Sequence, residues 1–297
     1  MKTFNVQNCT LLEIIEKVDE HLSSQKESFA LKLTLKEVES FGYASFIDLA
    51  QSFLLRFKTP QVEGEYIKLL FEPLNIDNSF HTQSNSREKY GVKSSFFQIQ
   101  KEKKFAFLYY YKEALQHAKI SQRKRILNLG INRGDEFKLI QKLYPNSFNS
   151  QEFVGIDFSA SAIEYAQKSF AKEKNCHFYC EDINNLDSLN LGRFDMLISI
   201  GTLQSSTLNL KTTLMHLVQN YLTKDGAIIF GFPNCRWIDG EMIYGARVPN
   251  YNFSELGTVI KDIYFCKKYL QQKKFRVTIS GKDYLFLTAT SIRKAES

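Results

Sequence analysis

Between Ile126 and Glu136 the chain reads Ile-Leu-Asn-Leu-Gly-Ile-Asn-Arg-Gly-Asp-Glu. An apolar run breaks into two glycines and then enters a helix-forming segment that opens on two acids. Glycine has no Cβ, so the backbone at Gly130 and Gly134 can turn sharply and come close to a nucleotide-like ligand. Three later positions carry the complementary chemistry. Asp157 closes the run Glu152–Asp157 and is placed to accept hydrogen bonds from both hydroxyls of a ribose. Asp182 follows the run His177–Cys180 and can accept from an adenine amino group, while Ser199 through Thr202 would floor the same pocket. Any one acid at a strand end is commonly just a helix cap; the order of the four is what points to a ligand. A dinucleotide fits poorly. Its fingerprint wants glycines where Asn132 and Asp135 stand, and two carboxylates at a helix N-terminus repel a pyrophosphate. A ligand without phosphate, carrying a cation, suits Asp135 and Glu136 better.

A second group of reactive residues follows the run Ala227–Phe232. Arg236 and Arg247 could hold an anionic substrate, and Trp237 is the only tryptophan of the chain. Asp239, Glu241 or Tyr244 could take a proton. A structured surface loop is the equally weighted alternative for this stretch. His81 invites a catalytic role, although a lone loop histidine is more often simply solvated. Cys176, His177 and Cys180 lack a second ligand cluster to complete four-coordination, so no metal site is expected. They read instead as a buried strand carrying small apolar thiols.

The elements that must position these residues change character along the chain. Apolar residues at Leu11, Leu12, Ile14, Ile15, Val18 and Leu22 have helical spacing, and Thr10 with Glu13 forms a capping box. Phe29–Leu35 alternates as a strand, Tyr43–Leu55 reads as a helix, and Tyr66–Phe71 as a returning strand ended by Pro73. Asn75–Ser95 is polar and turn-rich, a linker or lid. Residues 96–119 form a leading aromatic helix. From Arg123 onward strands and helices alternate regularly, which signals a mostly parallel sheet. Its strands are Arg125–Leu129, Glu152–Asp157, His177–Cys180, Phe194–Ile200 and Ala227–Phe232, with a helix from Leu208 to Leu222 before the last. Two further strands, Phe275–Ser280 and Tyr284–Thr290, are joined by a turn too short for a parallel pair. The expectation is an α/β fold, residues 96–297, preceded by an α+β region, residues 1–95, that serves the substrate or acts as a lid.

Composition narrows the class. Of 297 residues 43% are hydrophobic, enough for a substantial core, yet no apolar run approaches the ~20 residues of a membrane helix. Met1–Asn5 has no signal-peptide core, and five scattered cysteines form no disulfide framework. A cytoplasmic protein with no membrane partner is expected; nothing in the pattern specifies an oligomeric state. The net charge of +7 is uneven: residues 1–120 carry 16 Lys+Arg against 15 Asp+Glu, and residues 121–297 carry 23 against 17.

Residues 123–297 resemble a class I S-adenosylmethionine-dependent methyltransferase. The resemblance is carried by Leu127–Gly134, Val154–Ser159, Glu181–Ile183, Phe194–Gly201 and Leu222–Gly226, and by the terminal antiparallel hairpin. It implies a Rossmann-like sheet of seven strands, mostly parallel with an antiparallel last strand, and S-adenosylmethionine as cofactor. It also implies that Asn128, Gly130, Asn132 and Gly134 surround the methionine part and that Asp157 holds the ribose. Asp182 and Ile183 would bind the adenine, Phe158 would pack on its ring, and Ser199 would lie beneath. The family usually has an acid at the position of Asn128 and a glycine at Asn132, a residue that tolerates positive φ better than most. Two acceptor subclasses are disfavoured. The chain has neither an Asn/Asp-Pro-Pro-aromatic motif after the fourth strand nor a cysteine in a Pro-Cys context. The basic runs Arg123-Lys124-Arg125, Lys267-Lys268 and Lys273-Lys274 should gather at the amino ends of the strands, opposite the cofactor. That favours a small-molecule acceptor over tRNA or rRNA; the remaining alternative is a module that binds the cofactor without catalysis.

Overall fold

The computed structural model describes residues 1–53, 55–73, 91–94, 97–98, 100–205, 207–234, 237–238, 241–242, 256–282 and 284–293. The chain gathers into two compact units. The first comprises Met1–Ser79, Cys235–Arg247 and Phe253–Glu255, and the second Phe80–Asn234, Val248–Asn252 and Leu256–Ser297.

In the first unit, β1 (Lys2–Asn5), α1 (Leu11–Ser24), β2 (Phe29–Thr34), α2 (Leu35–Phe41), α3 (Tyr43–Ser52), β3 (Leu55–Phe57), β4 (Gln61–Glu63) and β5 (Tyr66–Pro73) follow one another. The sheet order is β1-β2-β5-β3, with β4 also pairing β5, and only β1 and β2 run parallel. The Thr10–Glu13 capping box is present. A second box, Thr34 with Glu37, starts α2 where the alternation of Phe29–Leu35 suggested only a strand. Phe29 stacks on Phe71 at 5.3 Å, at the centre of a core that includes Ile14, Val18, Leu31 and Phe46.

The second unit begins with α4 (Phe105–His117), then β6 (Arg125–Leu129), α5 (Asp135–Leu143), α6 (Pro145–Phe148), β7 (Glu152–Asp157) and α7 (Ala160–Ser169). β8 (Cys176–Cys180), β9 (Phe194–Ile200), α8 (Leu210–His216) and β10 (Leu222–Pro233) continue it. The paired two-residue strands β11 (Trp237–Ile238) and β12 (Glu241–Met242) lie in the first unit. α9 (Leu256–Gln272), β13 (Phe275–Gly281) and β14 (Tyr284–Ser291) close the second. Its sheet is the expected one: seven strands ordered β13-β14-β10-β9-β6-β7-β8, with β14 antiparallel to both neighbours. Strand order reverses between β6 and β9, and the crevice beyond their carboxyl ends is where an open α/β sheet binds ligands.

Several boundaries differ from the sequence reading for identifiable reasons. The leading helix starts at Phe105, because Lys101–Lys103 form a tight 3-10 turn that carries Lys101 into the interior. Its aromatic residues divide between two faces. Phe107 and Tyr111 enter the core beside Phe286, whereas Phe105 is 91% and Tyr109 69% exposed. α8 ends at His216 in a π-turn, Leu217–Tyr221, and β10 starts at Leu222, so Asp225-Gly226 forms a bulge in a strand instead of a turn before one. β8 is not buried: it is the sheet's edge strand, and Cys180 is exposed.

Candidate functional site

β6 ends where the chain must turn. Gly130 (φ +76°) and Gly134 (φ +75°) adopt the left-handed region, and Asn132 joins them at φ +46°. The turn is tied to the neighbouring strand, since Gly130 and Ile131 both donate their N–H to the Ile156 carbonyl (2.8 and 3.0 Å). A Cβ on Gly130 would overlap the Thr202 side chain, so this is a position only glycine can fill. Gly130→Ala is accordingly expected to lower the melting temperature, since the left-handed backbone alone costs about 1–2 kcal/mol, and to close the crevice to ligand. Calorimetry showing wild-type affinity in that variant would contradict it.

Asp157, at the end of β7, is the best-held acid of the site. One carboxylate oxygen accepts from the Asn132 N–H (2.9 Å) and the other from the Ser159 N–H (3.0 Å). The residue is buried, and burial pushes its pKa up to about 6. The N–H groups of Ser159, Asn132 and Phe158 and the charge of Lys101 pull the other way. Ser159 itself caps α7 by accepting from Ala162. Asp182 has both roles foreseen for a strand-end acid: it lines the crevice and accepts from Asn184 N (2.8 Å).

The crevice encloses about 220 Å³. Of the residues marked in the sequence, Gly130, Asn132, Asp157, Phe158, Asp182 and Ile183 line it together. Three others stand behind the wall. Ser199 is buried with its hydroxyl donating to the Leu129 carbonyl (3.1 Å), and Ile200, Gly201 and Thr202 line the crevice instead. Gly134 faces Phe170, 2.7 Å from where its Cβ would stand. Asn128 is fully buried, and neither polar atom of its amide has a hydrogen-bond partner among the described residues. His81, Arg236, Asp239, Tyr244, Arg247 and the side chain of Trp237 lie outside the described residues.

The sequence reading left Lys101 unplaced and did not mark the wall residues Cys180, Glu181, Ser205, Thr207 and Leu208. Lys101 lines the crevice and donates to Glu136 (2.7 Å), with both residues buried. Burial pulls its pKa down, but Glu136, Tyr284 and Asp135 outweigh that and keep the ammonium charged. The Asp135 carboxyl is pushed up by burial and by Glu136. Glu136 Oε2 and the Tyr111 hydroxyl are buried without a hydrogen-bond partner among the described residues. Arg133 pairs with Asp135 (3.7 Å); its guanidinium lies 5.0 Å from the Phe97 ring and 5.3 Å from the Tyr165 ring, and it donates to the Phe97 carbonyl. Glu136 is thus already paired by a residue from the leading segment.

Chemically, these features suit a nucleoside. Glycines permit close approach, a fixed carboxylate can receive two hydroxyls, and Phe158 and Ile183 offer apolar surface for a base. Residues 120–250 match a family model described as a methyltransferase domain. No curated protein matches the chain by sequence. Among solved structures, a CurJ carbon methyltransferase is 15% identical with a TM-score of 0.52, covering 84% of this chain and 80% of its own. A DszA carbon methyltransferase is 12% identical with a TM-score of 0.52, covering 95% and 94%. At such identities the likeness is one of fold. The sheet with its reversed β14 and the glycine turn agree with the domain match: residues 120–250 form a methyltransferase domain on a Rossmann-like fold.

Proposed function

We propose that the second unit binds S-adenosylmethionine in this crevice and that its methyl group passes to a small-molecule acceptor. The observation that carries the reading is Asp157, buried at the end of β7 with its carboxylate fixed by two backbone N–H groups beside a turn that only glycine can make. The cofactor supplies an activated methyl on a sulfonium. In this reading the protein binds and orients it: Asp157 receives the ribose hydroxyls, Asp182 and Ile183 border the base, and Phe158 packs against it. Methyl transfer from a sulfonium needs alignment and exclusion of water more than a strong base.

The disposition of the cations supports a small acceptor. Arg125 is bound to Glu152 (2.7 Å) and to the Arg193 carbonyl (2.7 Å), and its guanidinium lies 4.7 Å from the centre of the Phe194 ring. Arg123 donates to the carbonyls of Ala118 (2.8 Å) and Asp225 (3.1 Å). Two of the charges expected to form a basic surface are therefore committed to the fold, and both stand at the amino ends of strands. The two structures of like fold are named for carbon acceptors, which puts carbon beside oxygen and nitrogen as an acceptor atom to test.

The test is transfer of label from S-adenosylmethionine into a size-fractionated lysate. Label is expected in the low-mass fraction. Label in RNA would replace this acceptor class with nucleic acid, and cofactor binding without any labelled product would favour a binding module.

A further inference from the structure

Lys101 is the single cation among the described residues lining the crevice. It shares that wall with Gly130 and Asn132, at the glycine-turn end. An ammonium has three N–H donors, and Glu136 is its one hydrogen-bond acceptor among the described residues. Buried ion pairs add little net stability, because desolvating both charges offsets their attraction. This pair nevertheless brings a charged group from the leading segment through the protein to the pocket wall. Behind the wall, Asn128 is fully buried and carries no charge. Arg133, the other cation of the turn, is held between Phe97 and Tyr165.

Given the cofactor assigned above, on which this depends, we infer that Lys101 binds the carboxylate of its amino-acid end. Glu136 is the positioning residue that holds the ammonium at the wall. The chain thus recognises the methionine part with a cation from outside the glycine turn.

The experiment compares two ligands by calorimetry: S-adenosylhomocysteine, and the same molecule lacking its carboxylate. Wild-type protein is expected to prefer the first by roughly 10- to 100-fold, the scale of a charge-assisted hydrogen bond. The double variant Lys101→Met/Glu136→Gln, which leaves no unpaired buried charge, is expected to bind the two alike. Lys101→Arg should retain the preference. Equal affinities in the wild type overturn the inference without recourse to any variant, as does a double variant that still discriminates. If the wild type binds neither ligand, the cofactor reading itself fails, an outcome distinct from equal binding.

Discussion

Asp157→Ala is expected to weaken S-adenosylhomocysteine binding at neutral pH by roughly 100-fold or more, the loss of two hydrogen bonds to a charged acceptor. The wild-type protein should approach the same weakness in acid. The folded-state pKa of Asp157 is about 6, against an ordinary value of 3.8. The free folded protein therefore holds this proton more tightly than the unfolded chain does. Stability falls as pH rises from the ordinary value through about 6, and the penalty remains in full above it. Ribose hydroxyls donate to the ionised form, so binding must expel the proton wherever it is present. Affinity is expected to drop about tenfold per pH unit below about pH 6, with proton uptake by the buffer on binding. The Asp157→Ala variant should show no such slope. A wild-type affinity that stays flat from about pH 5 to about pH 7 would remove Asp157 from the ribose site.

Asp157 was legible in the sequence because everything that defines it is local. An apolar strand, an acid at its end and a serine two residues later specify the strand end, its buried carboxylate and the helix cap within a few residues. The Gly130–Gly134 turn was legible for the same reason, since φ values of +76° and +75° are a property of the residues themselves. The terminal hairpin followed from the length of its connection. What escaped was tertiary. Lys101 and Glu136 lie 35 residues apart, and no periodicity links them. The same contact explains why α4 starts at Phe105 and not near residue 96. Ser199 was assigned to the pocket because strand ends as a whole point there. The lining instead begins at Ile200, where β9 ends, and runs on through Gly201 and Thr202, while the Ser199 hydroxyl is taken up by the Leu129 carbonyl. The edge position of β8 likewise depends on strand order, which determines whether an apolar run is covered on both sides. α2 is a different case: Thr34 and Glu37 spelled a capping box as clearly as Thr10 and Glu13 did, but strand alternation through Leu35 masked it.

The Lys101–Glu136 pair also leads to a large expected effect on stability. Glu136→Ala would leave an ammonium buried near the Phe107 and Tyr284 rings, each 5.9 Å from it. Asp135 would be the nearest remaining acid on α5, and burial already raises its pKa, so it is a poor substitute as counter-charge. Removing one partner of a buried pair typically costs about 3–5 kcal/mol, whereas removing both is often close to neutral. Unfolding in denaturant should therefore show a large loss for Glu136→Ala, and adding Lys101→Met to it should recover most of that loss. A double-mutant cycle isolates the coupling. If Glu136→Ala costs no more than about 1 kcal/mol, the value for an exposed pair, the pair is solvated and the buried geometry is wrong. If the full loss persists in the double variant, the glutamate stabilises the fold independently of the lysine. Recovery of stability with loss of carboxylate discrimination is the combination that assigns the pair to ligand recognition, because a pair kept only for folding would leave ligand preference untouched.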